Sequence, residues 1–354
     1  MKQKSFISLL CLLPILVQAQ DAVKLLPDKF NDYALNYYLP YTAVDIEMVA
    51  TKTTYKAGPY YKYAQKYLGV SNAVIEDSEV WEIEQVCMTP KGIADTENRY
   101  QLTFKAGQTP YIYVSPESVI SSINTEPESY APDCADIKPD EISNIDVKKV
   151  YSEELLMSGS IAKMAEVAAK QIYRIRESRL NLLTGEVDKM PADGDSFKLV
   201  ISHLDEQEAA LTALFLGTKS VERSVKHFTY TPEGDVNRDI LCRFSNFLGF
   251  VDADNLSGAP IYLSIQVTEQ GEYPVDEKGR IKKVPKGAVA YTIPGKAIVT
   301  IAYEGKTYAE NEYRIAQLGV VYGLDAALFV DKKAPVKAVF DPTTGALLHM
   351  GSEK

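Results

Sequence analysis

SIAKMAEVAAKQIYRIRESRLNLL, residues 160–183, sets Ile161, Met164, Ala165, Ala168, Ile172, Ile175, Leu182 and Leu183 along one stripe, and Gly185 follows it. This is the period of an amphipathic helix, in a chain whose other apolar runs mostly alternate with period two. A second stripe passes through Phe197, Val200, Ile201, Leu204, Leu211 and Phe215 and closes at Gly217, a residue type that ends helices in the left-handed conformation. Pro191, Asp193 and Gly194 supply turn chemistry in the 184–195 connection, so residues 160–217 read as an αα-hairpin.

Upstream, Val44, Ile46, Met48 and Ala50 alternate with Asp45 and Glu47, which predicts a strand with one buried face. Ala57-Gly58-Pro59 opens a short helix over Tyr60 to Leu68, stopped by Gly69. Further strand runs at 80–88, 100–104 and 111–114 define an N-terminal β-rich unit, 20–125, and residues 126–159 form an acidic, proline-containing connection. Beyond Gly217 the strand pattern returns at 221–230, 240–244, 260–267, 288–293, 297–303 and 317–322. A last hairpin joins 336–340 to 346–350 through Asp341-Pro342-Thr343-Thr344-Gly345, closing a C-terminal β-rich unit, 218–354. The fold class is α+β: two β-rich units joined by a central αα-hairpin. Leu68-Gly69, Thr89-Pro90-Lys91-Gly92 and Asn98-Arg99 recur in order as Leu216-Gly217, Thr231-Pro232-Glu233-Gly234 and Asn237-Arg238, a weak echo that points to an internal duplication.

Lys2 and Lys4 precede the apolar run Phe6 to Val17, and Val17-Gln18-Ala19 ends it, so residues 1–19 read as a signal peptide with Gln20 as the mature N-terminus. Leu10 stands before Cys11 where lipidation needs a small residue, which argues against a lipid anchor. The expected product is exported, periplasmic or outer-membrane-associated, with no transmembrane span. Removing Lys2 and Lys4 takes the formal charge from -10 to -12, which disfavours nucleic acid as a partner. Cys87, Cys134 and Cys242 remain; their spacing fits neither a disulfide framework nor zinc, and at most one bridge forms among them, its pairing open.

No motif for a cofactor is present, and the candidate site residues carry weak signals. Nine of the 23 tyrosines fall between Tyr33 and Tyr67. On the helix, Tyr60, Tyr63 and Tyr67 share a face with Ala64 and Leu68, opposite Lys62, Gln65 and Lys66, and read as core; Tyr33, Tyr37, Tyr38 and Tyr41 are candidates for a surface binding cluster. Ser160 and Lys163 match a Ser-x-x-Lys nucleophile at a helix start, but no Lys-Thr-Gly accompanies them, and an N-cap role for Ser160 is favoured. Asp252, Asp254 and Asn255 cluster oxygen ligands without the spacing of a calcium loop and read as an Asx turn. Lys278, Arg280, Lys282, Lys283 and Lys286 read as a solvated loop tip. Arg179 and Glu208 interrupt the two helical stripes and need partners. With both helices starting level at the turn, the two charges lie about 12 Å apart along the axis, so separate partners are expected unless the helices are staggered.

Residues 56–69, KAGPYYKYAQKYLG, and 172–179, IYRIRESR, resemble an uncharacterised Bacteroidales secreted family catalogued as domain of unknown function 4831, as do Leu211 to Gly217, Ala290 to Ile301 and Phe340 to Leu347. The resemblance implies a Gram-negative envelope protein and brings no activity or catalytic residues to transfer. The leading functional reading is a non-catalytic cell-envelope binding or scaffolding protein whose partner is an envelope protein or a glycan. The competitors are a hydrolase of glycan or cell-wall material, for which Glu208, Arg179, Ser160 and Lys163 are the candidates, and a glycan-binding module using the tyrosines.

Overall fold

The computed structural model describes residues 34–103, 110–127, 150–187, 190–191, 193–285, 287–330 and 335–352. The signal segment 1–19, Tyr33, Cys134 and Lys286 lie outside the described residues. The protein is β-rich, with several antiparallel sheets and few helices.

The alternating run predicted over 41–50 is the middle of a longer strand, β1 (Ala34–Lys56). It lies between β2 (Ser78–Thr103) and, across the other edge, β5 (Thr218–Tyr230). Its buried face, Val44, Ile46, Met48 and Ala50, meets Phe244, Ile261, Leu263, Ile265, Val299 and Ile301 from a second sheet. That sheet has the order β10-β9-β8-β6-β7, built from β6 (Val236–Ser245), β7 (Gly249–Val251), β8 (Ala259–Glu269), β9 (Val289–Tyr303) and β10 (Lys306–Leu324). Apolar residues at every second position give each sheet one water-avoiding face, and packing the two together buries both.

A third sheet, β12-β11-β4-β3, combines β3 (Ile112–Val114) and β4 (Ile120–Ile123) with β11 (Val336–Phe340) and β12 (Leu347–Ser352). Its Ile120, Ile123, Ala338 and Phe340 pack on Tyr37, Leu39 and Leu102 at the start of β1 and the end of β2.

The helices form their own core. The short helix α1 (Ala64–Leu68) ends at Gly69 with φ 69, α2 (Glu153–Leu156) is capped by Ser152, and α3 (Ile161–Thr184) and α4 (Gly194–Leu216) are the two long ones. Tyr60 and Ala64 pack with Leu155, Ala165, Ala168, Ile172, Leu211, Leu214 and Phe215, while Tyr63 and Tyr67 are partly buried against them and Lys62, Gln65 and Lys66 are exposed. The helix expected over residues 60–68 is thus a 3-10 turn, Tyr61–Tyr63, followed by α1, and Tyr60, Tyr63 and Tyr67 along them are core residues.

Strand pairing joins segments that the sequence reads apart. Strands of the two β-rich stretches share sheets: β5 pairs with β1 from Val44↔Tyr230 to Lys56↔Thr218, and β11 pairs with β4 at Ala338↔Ile123. The separate strand runs at 80–88 and 100–104 are one strand, β2, with Thr89-Pro90-Lys91-Gly92 inside it and Pro90 facing Val44. This is tolerated because β2 is an edge strand, so a residue without an N–H costs no ladder bond when it faces outward. Its counterpart Thr231-Pro232-Glu233-Gly234 does lie between strands, so the two echoed segments have different surroundings. The runs at 288–293 and 297–303 are likewise one strand, β9, carrying Pro294 and Gly295 where the β9–β10 register jumps from Ile315 to Val320. A Cβ on Gly295 would lie 2.5 Å from the Glu269 carbonyl oxygen, so glycine is required by the close approach of neighbouring backbone.

Candidate functional site

The solvent face of the five-stranded sheet carries a concavity with converging polar groups. Along β8, Ile261, Leu263 and Ile265 point into the core, which turns Tyr262, Ser264 and Gln266 outward. Beside them on β6 the ladder steps from Val236↔Ile265 to Asp239↔Leu263, three residues against two, a β-bulge. Arg238 occupies the bulge with φ 58, a conformation few non-glycine residues adopt. Its N–H donates to Ser264 Oγ at 3.3 Å, and its guanidinium lies 4.1 Å over the Tyr262 ring.

The bulge opens a groove of about 470 Å³ lined by Asp235 and Asn237 from the β6 side, Ser264 and Gln266 from β8, Ile298 and Thr300 from β9, and Glu310 from β10. The side chains of Asn237 and Gln266 are exposed. Asp235 Oδ1 accepts the Val267 N–H at 2.7 Å, and Glu310 Oε2 accepts from the Thr300 hydroxyl at 3.3 Å. Both carboxylates are thus oriented by internal bonds, and no cation is among the lining residues. Two carboxylate acceptors, two amides that donate and accept, two hydroxyls and the apolar Ile298 side chain make a surface for a neutral, hydrogen-bonding ligand.

The residues singled out from the sequence lie elsewhere. Arg179 Nη1 is 3.2 Å from Glu208 Oε2 and 2.6 Å from Asp205 Oδ1, and Arg176 Nε is 2.6 Å from Glu208 Oε1. The expectation of separate partners is overturned, because the helices do not start level. With Arg176 opposite Glu208 and Arg179 opposite Asp205, Thr184 stands opposite Val200, so α4 begins about six residues, or roughly 9 Å, beyond the end of α3. The burial expected of both charges holds better for Glu208, with 14% of its side chain exposed, than for Arg179, with 35%.

Ser160 Oγ accepts the Lys163 N–H at the start of α3, while Lys163 Nζ turns away to Glu166 at 3.1 Å, so hydroxyl and ammonium do not converge. Tyr37 is fully buried rather than on a surface: its hydroxyl accepts the Ala290 N–H at 2.7 Å, and its ring stands 5.7 Å from that of Tyr100. Tyr38 and Tyr41 are half-buried on β1, and the proposed cluster loses its centre. In the 252–258 loop, Asn255 Oδ1 accepts from the Ser257 N–H and hydroxyl, and Asp252 pairs with Lys226 at 3.3 Å, with Asp254 exposed beside them. Among the described residues no group of three or more His, Cys, Asp or Glu is placed to hold a metal ion. Asp276 organises the basic loop by accepting the N–H groups of Lys278 and Arg280, and together with the Arg280 guanidinium these hold its carboxyl below the usual range. Cys87 is disulfide-bonded, and Cys242 is a free, buried thiol.

Fold and site together define a β-rich protein of stacked antiparallel sheets with a two-helix arm, which carries a polar groove on a sheet face. The chain belongs to the family described as a domain of unknown function, DUF4831, which it matches over residues 33–348. No curated protein and no solved structure matches it. Among the described residues no helix is long and apolar enough to cross a membrane.

Proposed function

We propose that this protein is a non-catalytic binding module of the cell envelope, exported through residues 1–19, and that the groove on the five-stranded sheet takes a neutral polyhydroxylated ligand of the saccharide class. The observation that carries this reading is the bulge at Arg238, which opens a groove lined by short polar side chains in place of a flat sheet face. Sugar hydroxyls donate to Asp235 and Glu310 and exchange hydrogen bonds with Asn237 and Gln266, while the C–H face of the ring lies against Ile298. The carboxylates disfavour an anionic ligand.

Asp235 and Glu310 on one groove also support the hydrolase reading, since glycoside hydrolysis uses two carboxylates. Their internal hydrogen bonds and open surroundings favour binding. Titration of the mature protein against a panel of neutral oligosaccharides tests both readings. The expected result is a ligand whose affinity falls at least tenfold in Asn237→Ala/Gln266→Ala, with the sugar recovered intact. Failure of every neutral glycan to bind, or binding indifferent to that double substitution, sinks the proposal; release of new reducing ends replaces it with the hydrolase.

A further inference from the structure

The loop between β8 and β9 carries a second surface. Residues 278–286, KGRIKKVPK, hold five cations and no acid, in a chain whose net charge is -10. Part of this loop is a built hairpin. The Asp276 N–H donates to the Arg280 carbonyl at 2.8 Å and the Lys282 N–H to the Pro274 carbonyl at 2.9 Å, which sets Val275 directly opposite Ile281. Gly279 closes the turn at φ 72, its N–H donating to the Asp276 carbonyl. The base is anchored on the edge strand β10: the Tyr322 hydroxyl donates to the Lys282 carbonyl at 3.4 Å, and the Gly271 N–H to the Leu318 carbonyl at 3.0 Å.

The hairpin leaves apolar side chains in water. Val275 and Ile281 are 55% and 62% exposed, and Tyr273 is exposed beside them on the same face, since alternate residues of a strand share a face. The charges around this pair are not spent within the chain. Arg280 pairs with Asp276 at 2.9 Å on the other face, but Lys278, Lys282 and Lys283 have no ion-pair partner among the described residues. Lys278 lies at the turn, and continuing the register puts Lys283 opposite Tyr273, so unpaired ammonium groups stand at both ends of the apolar pair. With Asp276 taken by Arg280, the acids that precede this run are the exposed Glu272 and Glu277, fewer than the unpaired lysines.

We propose that this hairpin docks the protein on an anionic lipid bilayer, with Tyr273, Val275 and Ile281 at the boundary of headgroups and acyl chains and Lys278, Lys282 and Lys283 at the lipid phosphates. Two properties of one small surface select a bilayer over a soluble polyanion. A polyanion would satisfy the lysines and leave the apolar pair in water, whereas a bilayer interface offers phosphate and hydrocarbon within the reach of one side chain. The long lysine stems extend back to the phosphates while the β-branched residues sit deeper. The chain as a whole is acidic, so an anionic surface repels most of it and draws in this cation-rich end.

Cosedimentation of the mature protein with lipid vesicles tests this. The protein should partition onto vesicles of phosphatidylglycerol and phosphatidylethanolamine, only weakly onto phosphatidylcholine alone, and less as salt screens the lysines. Ile281→Ser and Lys278→Ala/Lys283→Ala should each lower that partition about fivefold or more with an unchanged denaturation midpoint, because both act on exposed side chains. Lys62→Ala/Lys66→Ala removes the same charge from another exposed surface and should leave the partition unchanged. Absence of partition onto the anionic vesicles overturns the proposal, and so does an equal loss in Lys62→Ala/Lys66→Ala. Partition indifferent to Ile281→Ser also overturns it and makes the lysines a site for a soluble polyanion. None of these results bears on the groove, whose ligand titration is read separately.

Discussion

Cys242 lies on the inner face of β6 among Phe244, Ile261 and Leu263, and burial pushes its thiol up to about 11. Both the low thiolate fraction and the lack of access protect it from alkylation. Native protein treated with iodoacetamide near pH 8 should therefore leave Cys242 unmodified, and peptide mapping should find it alkylated only after denaturation. Modification at the same rate in both states would show that the sandwich core opens locally. Tyr37 follows the same physics with a different outcome. A buried phenol must find a partner for its hydroxyl, and it does so by bonding to the Ala290 backbone, which ties β1 to β9. The density of tyrosines near the N-terminus is visible in the sequence, but which ones turn inward depends on what the second and third sheets place opposite them.

At the scale of elements, a cross-strand cluster centred on Glu84 laces the three-stranded sheet. Glu84 on β2 accepts from Arg223 on β5 through both carboxylate oxygens, at 2.7 and 2.8 Å, and from the Thr51 hydroxyl on the β1 strand between them. These donors hold the Glu84 carboxyl at about 2, against an ordinary value of 4.5. Because the folded-state value is depressed, the cluster stabilises the fold fully above about pH 4.5, and the contribution is lost as pH falls toward 2. Urea midpoints measured through that window should fall less steeply for Glu84→Gln than for the unaltered protein. Parallel slopes would mean that the cluster contributes nothing to acid sensitivity. The side chains are partly solvated, 36% exposed for Glu84 and 22% for Arg223, so the effect is that of a partly screened pair.

Across the whole molecule, the loop Asp341-Pro342-Thr343-Thr344-Gly345 locks the sheets together. Thr343 and Thr344 are buried, which is unusual for a loop, and their polar groups are matched. Asp341 Oδ1 accepts from the Thr343 N–H and hydroxyl, and the Thr343 carbonyl accepts from the Thr42 hydroxyl. Gln317 completes the arrangement. The β5 ladder ends opposite Val44, and the Gln317 amide takes its place beyond that point, accepting the Thr42 N–H at 2.8 Å and donating to the Thr42 carbonyl at 2.7 Å. The loop also seats against Gly92, where a Cβ would come within 2.0 Å of the Pro342 carbonyl oxygen. Backbone stands on both sides of that contact, so Gly92→Ala should destabilise by about 1–3 kcal/mol or more. Gly159→Ala, with open space around the new methyl, should leave the denaturation midpoint nearly unchanged.

Local chemistry determined much of this protein. The periods of α3 and α4, their stops at Gly185 and Gly217, the Ser160 cap, the inward Tyr60, Tyr63 and Tyr67 and the hairpin from β11 to β12 all follow from neighbours within a few residues. Only the tertiary structure decided that β5 returns to the edge of β1, that Pro90 sits harmlessly on an edge strand, and that a six-residue stagger brings Arg179 to Glu208. The groove belongs to this second group. Tyr262, Ser264 and Gln266 are legible as the polar side of a strand, but the hollow beside them comes from an extra residue in β6, and a bulge is defined by register against a partner strand. Side-chain periodicity is a property of one segment, whereas register, stagger and edge position are relations between segments, set by which apolar faces meet when the chain closes on itself.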